Sequence, residues 1–207
     1  MKKSAVIPVA FALAIALGCN KPNAVNEEKA GDLDNTAAKA ETVGTVGADN
    51  NREFLTKAMD ANMAEVELGR LAQERAMNPV VKGFAQMMIN DHSKGLDSLK
   101  PIASRQGTPM VAQLDEEHRQ LRDRLATLRG AEFDREYMRA MVDGHEKVVD
   151  MLQTRANEDR FGADKGTAEP ERANDAMAME INQWAAKTLP TTRHHLDEAK
   201  RINDGLR

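Results

Sequence analysis

The chain has 207 residues, of which 41% are hydrophobic and 30% charged, a composition typical of a globular protein with one buried core. Aromatic residues make up 3%, while Ala, Met, Glu, Lys, Arg and Leu recur throughout, which favours helices over sheets. The formal net charge of −4 excludes a globally basic nucleic-acid-binding protein, so we expect no nucleic-acid partner. The single cysteine excludes intramolecular disulfides and clustered thiolate metal sites.

The N-terminus has the pattern of a secretory signal: two lysines, an apolar run from Ala5 to Leu17, and the small residue Gly18 before Cys19. The apolar run is too short to span a bilayer, which takes about 20 residues. The order Ala16-Leu17-Gly18-Cys19 resembles the bacterial lipobox, in which the cysteine sulfur is acylated and the cysteine becomes the mature N-terminus. The sequence therefore predicts a lipoprotein signal peptide over 1–18 and lipidation of Cys19. The alternative is an ordinary signal peptide that contains a cysteine.

A lipid on Cys19 would attach the protein to a membrane and leave no free thiol for redox chemistry. The signal peptide takes away two lysines and no acid, so attachment would rest on the acyl chains rather than on charge. Asn20 stands where a signal for retention in the inner membrane would usually be Asp. By resemblance to other lipoproteins of two-membrane bacteria, this predicts the periplasmic face of the outer membrane. Residues 19–50 have few large apolar side chains and predict the lipidated cysteine followed by a flexible tether.

The remainder of the chain, 51–207, predicts an all-α four-helix bundle. Apolar residues at helical spacing predict helices over 52–76, 79–103, 131–156 and 176–202, the last with Pro190 inside it. Segment 114–128 is short and highly charged and predicts a crossover helix between helices two and three, which would make those two helices parallel. Residues 160–172 contain two glycines and a proline and predict a long loop.

Helices two and three share a pattern when they are aligned on His92 and His145. The same alignment pairs Phe84 with Tyr137. An internal duplication and convergent helix patterning both explain the likeness. In either case, each helix carries a histidine at the centre of its apolar face.

Four polar residues interrupt the apolar stripes of the predicted helices: Glu65, His92, His145 and His195. By helical rise, Glu65 and His92 differ in height by roughly 4 to 5 Å, and His92 and His145 share one level if their helices are parallel. His195 fits less well, since a helix that starts near residue 176 puts it roughly 9 Å past that layer. His118 lies in the charged crossover, where we expect it to be solvated.

One carboxylate and two or three imidazoles inside a bundle suit one Zn, Fe or Cu ion, which makes these four residues candidate metal ligands. The alternative is a buried Glu-His network with an architectural role. Dinuclear carboxylate-bridged oxidases need Glu-x-x-His on each of two helices, and the predicted core lacks this motif. Methionines near the histidines offer a softer set of ligands for copper, although methionine at this spacing is more often core filler. These methionines are Met87, Met88, Met138 and Met141.

Several of these segments resemble, in order, DUF4142, a bacterial family of unknown function often labelled as predicted outer membrane protein and grouped with ferritin-like bundles. The resemblance rests on AEVELG at 64–69, FAQMM at 84–88, DHSK at 91–94, GAEFD at 130–134, MV at 141–142 with His145, TLP at 188–190 and HHL at 194–196. It implies a ferritin-like four-helix bundle over about 54–202. Glu65, His92, His145 and His195 occupy the family's characteristic polar positions, and the family has no established reaction to carry over.

Together these observations predict a lipid-anchored periplasmic bundle that binds a metal ion or a protein partner. The sequence has no Gly-rich phosphate loop, catalytic triad or nucleophile motif, so we predict a binding protein rather than an enzyme. A structural or stress-related envelope protein with an architectural Glu-His network is the alternative. A third possibility, an enzyme, would need an open coordination position and a substrate pocket.

Overall fold

The computed structural model describes residues 34–162 and 174–207, with side chains over 48–158 and 176–207. It contains five helices: α1 (Asp34–Arg75), α2 (Pro79–Arg105), α3 (Glu116–Ala126), α4 (Gly130–Gly162) and α5 (Asn174–Gly205). No strand occurs in these ranges, and the predicted all-α helical bundle is confirmed. The predicted signal peptide, Cys19 and most of the predicted loop over 160–172 lie outside the described residues.

Two hydrophobic clusters, one toward each end of the bundle, establish the directions of the helices. The first joins the C-terminal parts of α1 and α5 to the N-terminal parts of α2 and α4. The second joins the opposite parts of the same four helices. α2 and α4 therefore run parallel, as the crossover predicts, and α1 and α5 run in the opposite direction. The first cluster includes Ala76, Phe84, Tyr137 and Ile202; the second includes Leu55, Leu99, Leu152 and Ile181.

Local sequence explains the tight turn between α1 and α2. Asn78 precedes α2, and its Oδ1 accepts a hydrogen bond from the N–H of Val80 at 2.8 Å, while Pro79 occupies the first turn, where no N–H is needed. Asp134 of α4 accepts hydrogen bonds from the N–H groups of Met77 at 3.0 Å and Asn78 at 2.9 Å. The buried carboxylate of Asp134 thus attaches α4 to the turn between α1 and α2.

α1 is longer than the sequence predicts. It begins at Asp34, whereas the predicted helix begins at Arg52 and the predicted flexible tether covers 19–50. Residues 34–50 include four Ala, one Lys and one Glu, which favour helix, and extending an existing helix requires no new nucleation. Among the side chains of α1 that the structure describes, Asn51 and Phe54 are the first that are buried. Among the described residues, no helix is both long enough and apolar enough to cross a membrane.

Candidate metal centre

Three histidines from three different helices meet between the two hydrophobic clusters. His92 comes from α2, His145 from α4 and His195 from α5. Their ring centroids lie 5.7 Å apart for His92 and His145, 5.4 Å for His92 and His195, and 5.6 Å for His145 and His195. Each ring offers one potential ligand atom within 4.8 Å of those of the other two. We call these residues the histidine trio.

The hydrogen bonds of His145 and His92 determine which ring nitrogen carries the proton. Nδ1 of His145 lies 2.8 Å from the carbonyl oxygen of Met141, and a carbonyl can only accept, so Nδ1 is the donor. Asn62 donates from Nδ2 to the carbonyl of Ala58 at 2.7 Å, which turns its Oδ1 toward Nδ1 of His92 at 3.0 Å. Nδ1 of His92 is therefore also a donor.

His195 is oriented by a carboxylate. Its Nε2 lies 3.3 Å from Oδ2 of Asp91, which can only accept when ionised, and the other oxygen of Asp91 pairs with Lys94 at 3.0 Å. Partial burial acts to raise the pKa of Asp91, but the hydrogen bonds from Lys94 and His195 and the charge of Lys94 together lower it. A carboxylate that accepts from one imidazole nitrogen is a common way to orient the other nitrogen toward a metal.

The opposite nitrogens of the histidine trio are buried and have no hydrogen-bond partner among the described residues. They are Nε2 of His92, Nε2 of His145 and Nδ1 of His195. Burial, followed by repulsion from the neighbouring histidines, lowers the pKa of His92 well below its ordinary value. Burial and then the charge of His145 lower the pKa of His195 to about 4. These two rings are thus neutral near pH 7, so their free nitrogens carry lone pairs, as metal ligands require.

Glu65 of α1 lies beside the histidine trio but outside the group of close ligand atoms. Its Oε1 is 3.7 Å from Nδ1 of His145, the nitrogen already engaged with Met141, and its Oε2 is buried without a partner among the described residues. Burial raises the pKa of Glu65 despite the nearby histidines. The hydroxyl of Tyr137 is likewise buried and unpartnered within this part of the chain, and burial together with the charge of Glu65 raises its pKa.

The structure brings all four predicted residues into one layer, including His195. The prediction that His195 lies roughly 9 Å beyond the layer is wrong. It assumed that α5 begins at the same distance from the layer as α2 and α4 do. α4 continues to Gly162, well past His145, so α5 starts farther from the layer and reaches it later in its sequence.

A small cavity adjoins the histidine trio. Its volume is about 50 Å³, room for about three or four water molecules. Side chains from α1, α2, α4 and α5 line it, and Glu65, all three histidines and the apolar Val148 and Leu152 are among them. The site thus combines three lone-pair donors, one carboxyl group and a water-sized space.

Asp60, Asp115 and His118 form a second close group, which is fully engaged in holding α3. Asp115 caps α3 by accepting from the N–H of His118 at 2.9 Å, and Asp60 of α1 accepts from the N–H of Asp115 at 2.9 Å. Nδ1 of His118 lies 2.5 Å from Oδ2 of Asp60. The prediction that His118 is solvated is therefore wrong: it is half-buried and pins the crossover helix to α1.

Sequence reasoning missed the residues that orient the trio. Asp91 directly precedes His92 in the chain, and Asn62 precedes Glu65 by one helical turn, so both lay beside predicted positions. Gly95 was also missed: a Cβ there would overlap Oδ1 of Asn62. Helical periodicity identifies the faces of single helices, whereas these contacts depend on how two helices approach each other.

The fold and its core define the class of this protein: an all-α bundle whose central layer holds three histidines and a glutamate. Residues 34–165, more than half of the chain, match the family DUF4142, described as a domain of unknown function. The chain belongs to this family. The matched range contains Glu65, His92 and His145, while His195 lies beyond it in α5. No curated protein and no solved structure matches the chain.

Proposed function

We propose that this protein is a lipid-anchored periplasmic bundle that binds one transition-metal ion through His92, His145 and His195. The observation that carries the proposal is the set of three buried ring nitrogens, one from each histidine, that lack partners among the described residues. The opposite nitrogens are held by an amide, a backbone carbonyl and a carboxylate. Orienting each ring by its other nitrogen is the usual arrangement around a bound metal.

The donor set favours Zn, Cu or Fe. Imidazole nitrogens suit these ions, with metal–nitrogen bonds of about 2.0–2.1 Å for Zn. Two nitrogens on one tetrahedral ion are then about 3.4 Å apart, so ligand atoms within 4.8 Å need to approach each other by at most about 1.4 Å. The copper hypothesis based on methionine gains no support, because Met88, Met138 and Met141 are buried in the first hydrophobic cluster and Met87 packs against it.

The alternative function is a structural or stress-related envelope protein whose Glu-His network is architectural. It rests on the 3.7 Å approach of Glu65 to Nδ1 of His145. That distance is too long for a hydrogen bond, and the nitrogen already donates to Met141. An architectural network would have a hydrogen bond between Glu65 and His145, but Nδ1 of His145 donates to the backbone instead. This difference favours the metal-binding function.

The test is to measure bound metal by mass spectrometry on the full-length chain, extracted in detergent without chelator. We expect close to one ion per chain, and loss of that ion in His92→Ala and in His145→Ala. His194→Ala is the matched control, because His194 is exposed on the same helix as His195. Substoichiometric metal that survives the two core substitutions would overturn metal binding by the trio.

Glu65→Gln separates the architectural function from the metal-binding one. If the network is architectural, the metal-free variant loses thermal stability because the Glu-His interaction is gone. If the site exists for metal, the metal-free variant keeps its stability, because burial already disfavours the ionised form of Glu65 and Gln is neutral. Melting curves with chelator and with added metal distinguish the two.

Attachment to the membrane rests on the lipobox-like sequence that ends at Cys19. We expect the wild-type chain to incorporate a labelled fatty acid and to sediment with outer-membrane vesicles. Cys19→Ala should abolish the label and the sedimentation. A wild-type chain that is cleaved and secreted without label would favour the ordinary signal peptide.

A further inference from the structure

The carboxyl group of Glu65 reaches the histidine layer without meeting a hydrogen-bond donor in the described part of the chain. Oε2 is buried and unpartnered, and Oε1 faces a ring nitrogen of His145 whose hydrogen is already donated to Met141. Burial of a carboxyl group is unfavourable unless donors replace the lost water. A donor from outside the chain is therefore expected beside Glu65.

The place for such a donor is the cavity. Glu65 and the histidine trio line the same space, which has a volume of about 50 Å³. Three imidazoles occupy three positions of a tetrahedral ion and leave the fourth for a solvent molecule. Since Glu65 lies outside the group of close ligand atoms, it is placed to contact a molecule on the metal rather than the metal itself.

We propose that the metal ion carries one exchangeable water molecule, which donates a hydrogen bond to Glu65, and that small anions can replace this water. The proposal rests on the metal-binding function above and adds an exogenous ligand to that site. The water gives its lone pair to the metal and one hydrogen to the carboxylate. One molecule thus fills the fourth position of the ion and supplies the donor that Glu65 lacks. The cavity limits the ligand to a few atoms, the size of azide.

The charges of the site determine which ligands it prefers. Three neutral imidazoles leave a divalent ion with its full charge, which attracts anions. The charge of a bound metal ion favours the ionised form of Glu65, in contrast to the metal-free protein. The Glu65 carboxylate then opposes this preference, because it repels an anion and offers no hydrogen to one. Replacing it with Gln removes the repulsion and supplies an N–H donor. Glu65 is thus a positioning residue that favours water over anions.

The experiment uses the full-length chain in detergent, stripped of metal and loaded with Co²⁺, whose visible absorption reports coordination. Azide is titrated into the wild-type protein, Glu65→Gln and the matched control Glu67→Gln, which changes a half-buried glutamate that pairs with Arg122 instead of facing the site. We expect saturable azide binding in all three, with about tenfold tighter binding in Glu65→Gln. Tyr137→Phe tests the neighbouring hydroxyl, and its azide affinity should stay within about twofold of wild type.

Each failure points to a different error. No Co²⁺ spectrum in the wild type overturns the metal-binding function and this inference together. A Co²⁺ spectrum that azide does not change overturns the exchangeable ligand and leaves the metal site intact. Loss of Co²⁺ from Glu65→Gln makes Glu65 a direct ligand, and unchanged azide affinity in that variant overturns the hydrogen bond to water. An equal gain in Tyr137→Phe would assign the effect to the tyrosine instead.

Discussion

The side-chain oxygen of Asn62 lies 3.0 Å from Nδ1 of His92 and determines which nitrogen of that histidine faces the cavity. Asn62 is itself fixed, because its Nδ2 donates to the carbonyl of Ala58 one turn earlier on α1. Gly95 of α2 makes the approach of the two helices possible, since any Cβ at this position would overlap Oδ1 of Asn62. An orienting contact of the site thus depends on the absence of a side chain on the neighbouring helix.

Gly95→Ala is expected to weaken metal binding at least about tenfold, because the methyl group displaces Asn62 and frees His92 to rotate. Gly83→Ala is the matched control in the same helix. No atom lies within 4 Å of a Cβ there, so this change should leave metal affinity unaltered and stabilise the protein by about 0.5–1 kcal/mol through helix propensity. Competition titration with a coloured chelator measures the affinities. Wild-type affinity in Gly95→Ala would show that Asn62 does not orient His92.

Asp91→Ala is expected to lower metal affinity about 10- to 100-fold, because Nε2 of His195 loses the carboxylate that holds the ring. Asp97→Ala provides the comparison: Asp97 is an exposed aspartate on the same helix that pairs with Lys100. The Asp97→Ala variant should bind metal with the affinity of the wild type. The same competition titration decides, and equal affinities for the two variants would contradict a role for Asp91.

The metal-free protein is expected to lose stability as the pH falls from about 6.5 toward 4. The pKa of His195 is lowered to about 4 and that of His92 is also lowered, so in this range the unfolded chain binds more protons than the folded one. The free energy of unfolding therefore increases with pH there. Glu65 acts in the opposite direction, because its raised pKa lets the folded state take up a proton first.

Urea unfolding of the chelator-treated chain at several pH values measures this dependence. His195→Gln should reduce the decrease in midpoint on acidification, whereas His194→Gln, at an exposed position, should not. The lowered pKa of Asp91, which contacts His195, costs stability only below the ordinary value of 3.8 and so lies outside this pH range. A midpoint that is constant or rises on acidification would refute the prediction.

Asp134→Ala is expected to destabilise the protein by about 2–4 kcal/mol, because two backbone N–H groups of the α1–α2 turn lose their acceptor. The carboxylate is nearly fully buried, so water replaces it poorly. Asp150→Ala, at an exposed position on α4, should change stability by less than about 0.5 kcal/mol. Urea unfolding at pH 7 compares them, and similar midpoints for the two variants would mean that the turn needs no such anchor.

Much of the site was predictable because a helix converts sequence spacing directly into direction. Glu65, His92 and His145 interrupt apolar stripes, and the charged crossover implied that α2 and α4 run parallel, which put both histidines at one level. The level of His195 was not predictable in the same way. It depends on where α4 and α5 end relative to the layer, and helix ends are poorly specified by periodicity.

The sequence by itself determined the helical fold, the apolar face of each helix and the four polar residues on those faces, because these follow from the period of 3.6 residues per turn. The tertiary structure decided which nitrogen of each histidine ring is engaged and which is buried without a partner among the described residues. Those orientations come from partners on the same and on other helices, Asn62 for His92 and Asp91 for His195. The tertiary structure also separated Glu65 from the close ligand atoms of the histidine trio. Spacing along one helix does not determine which side of His145 the carboxylate reaches, because that depends on how the helices pack against each other.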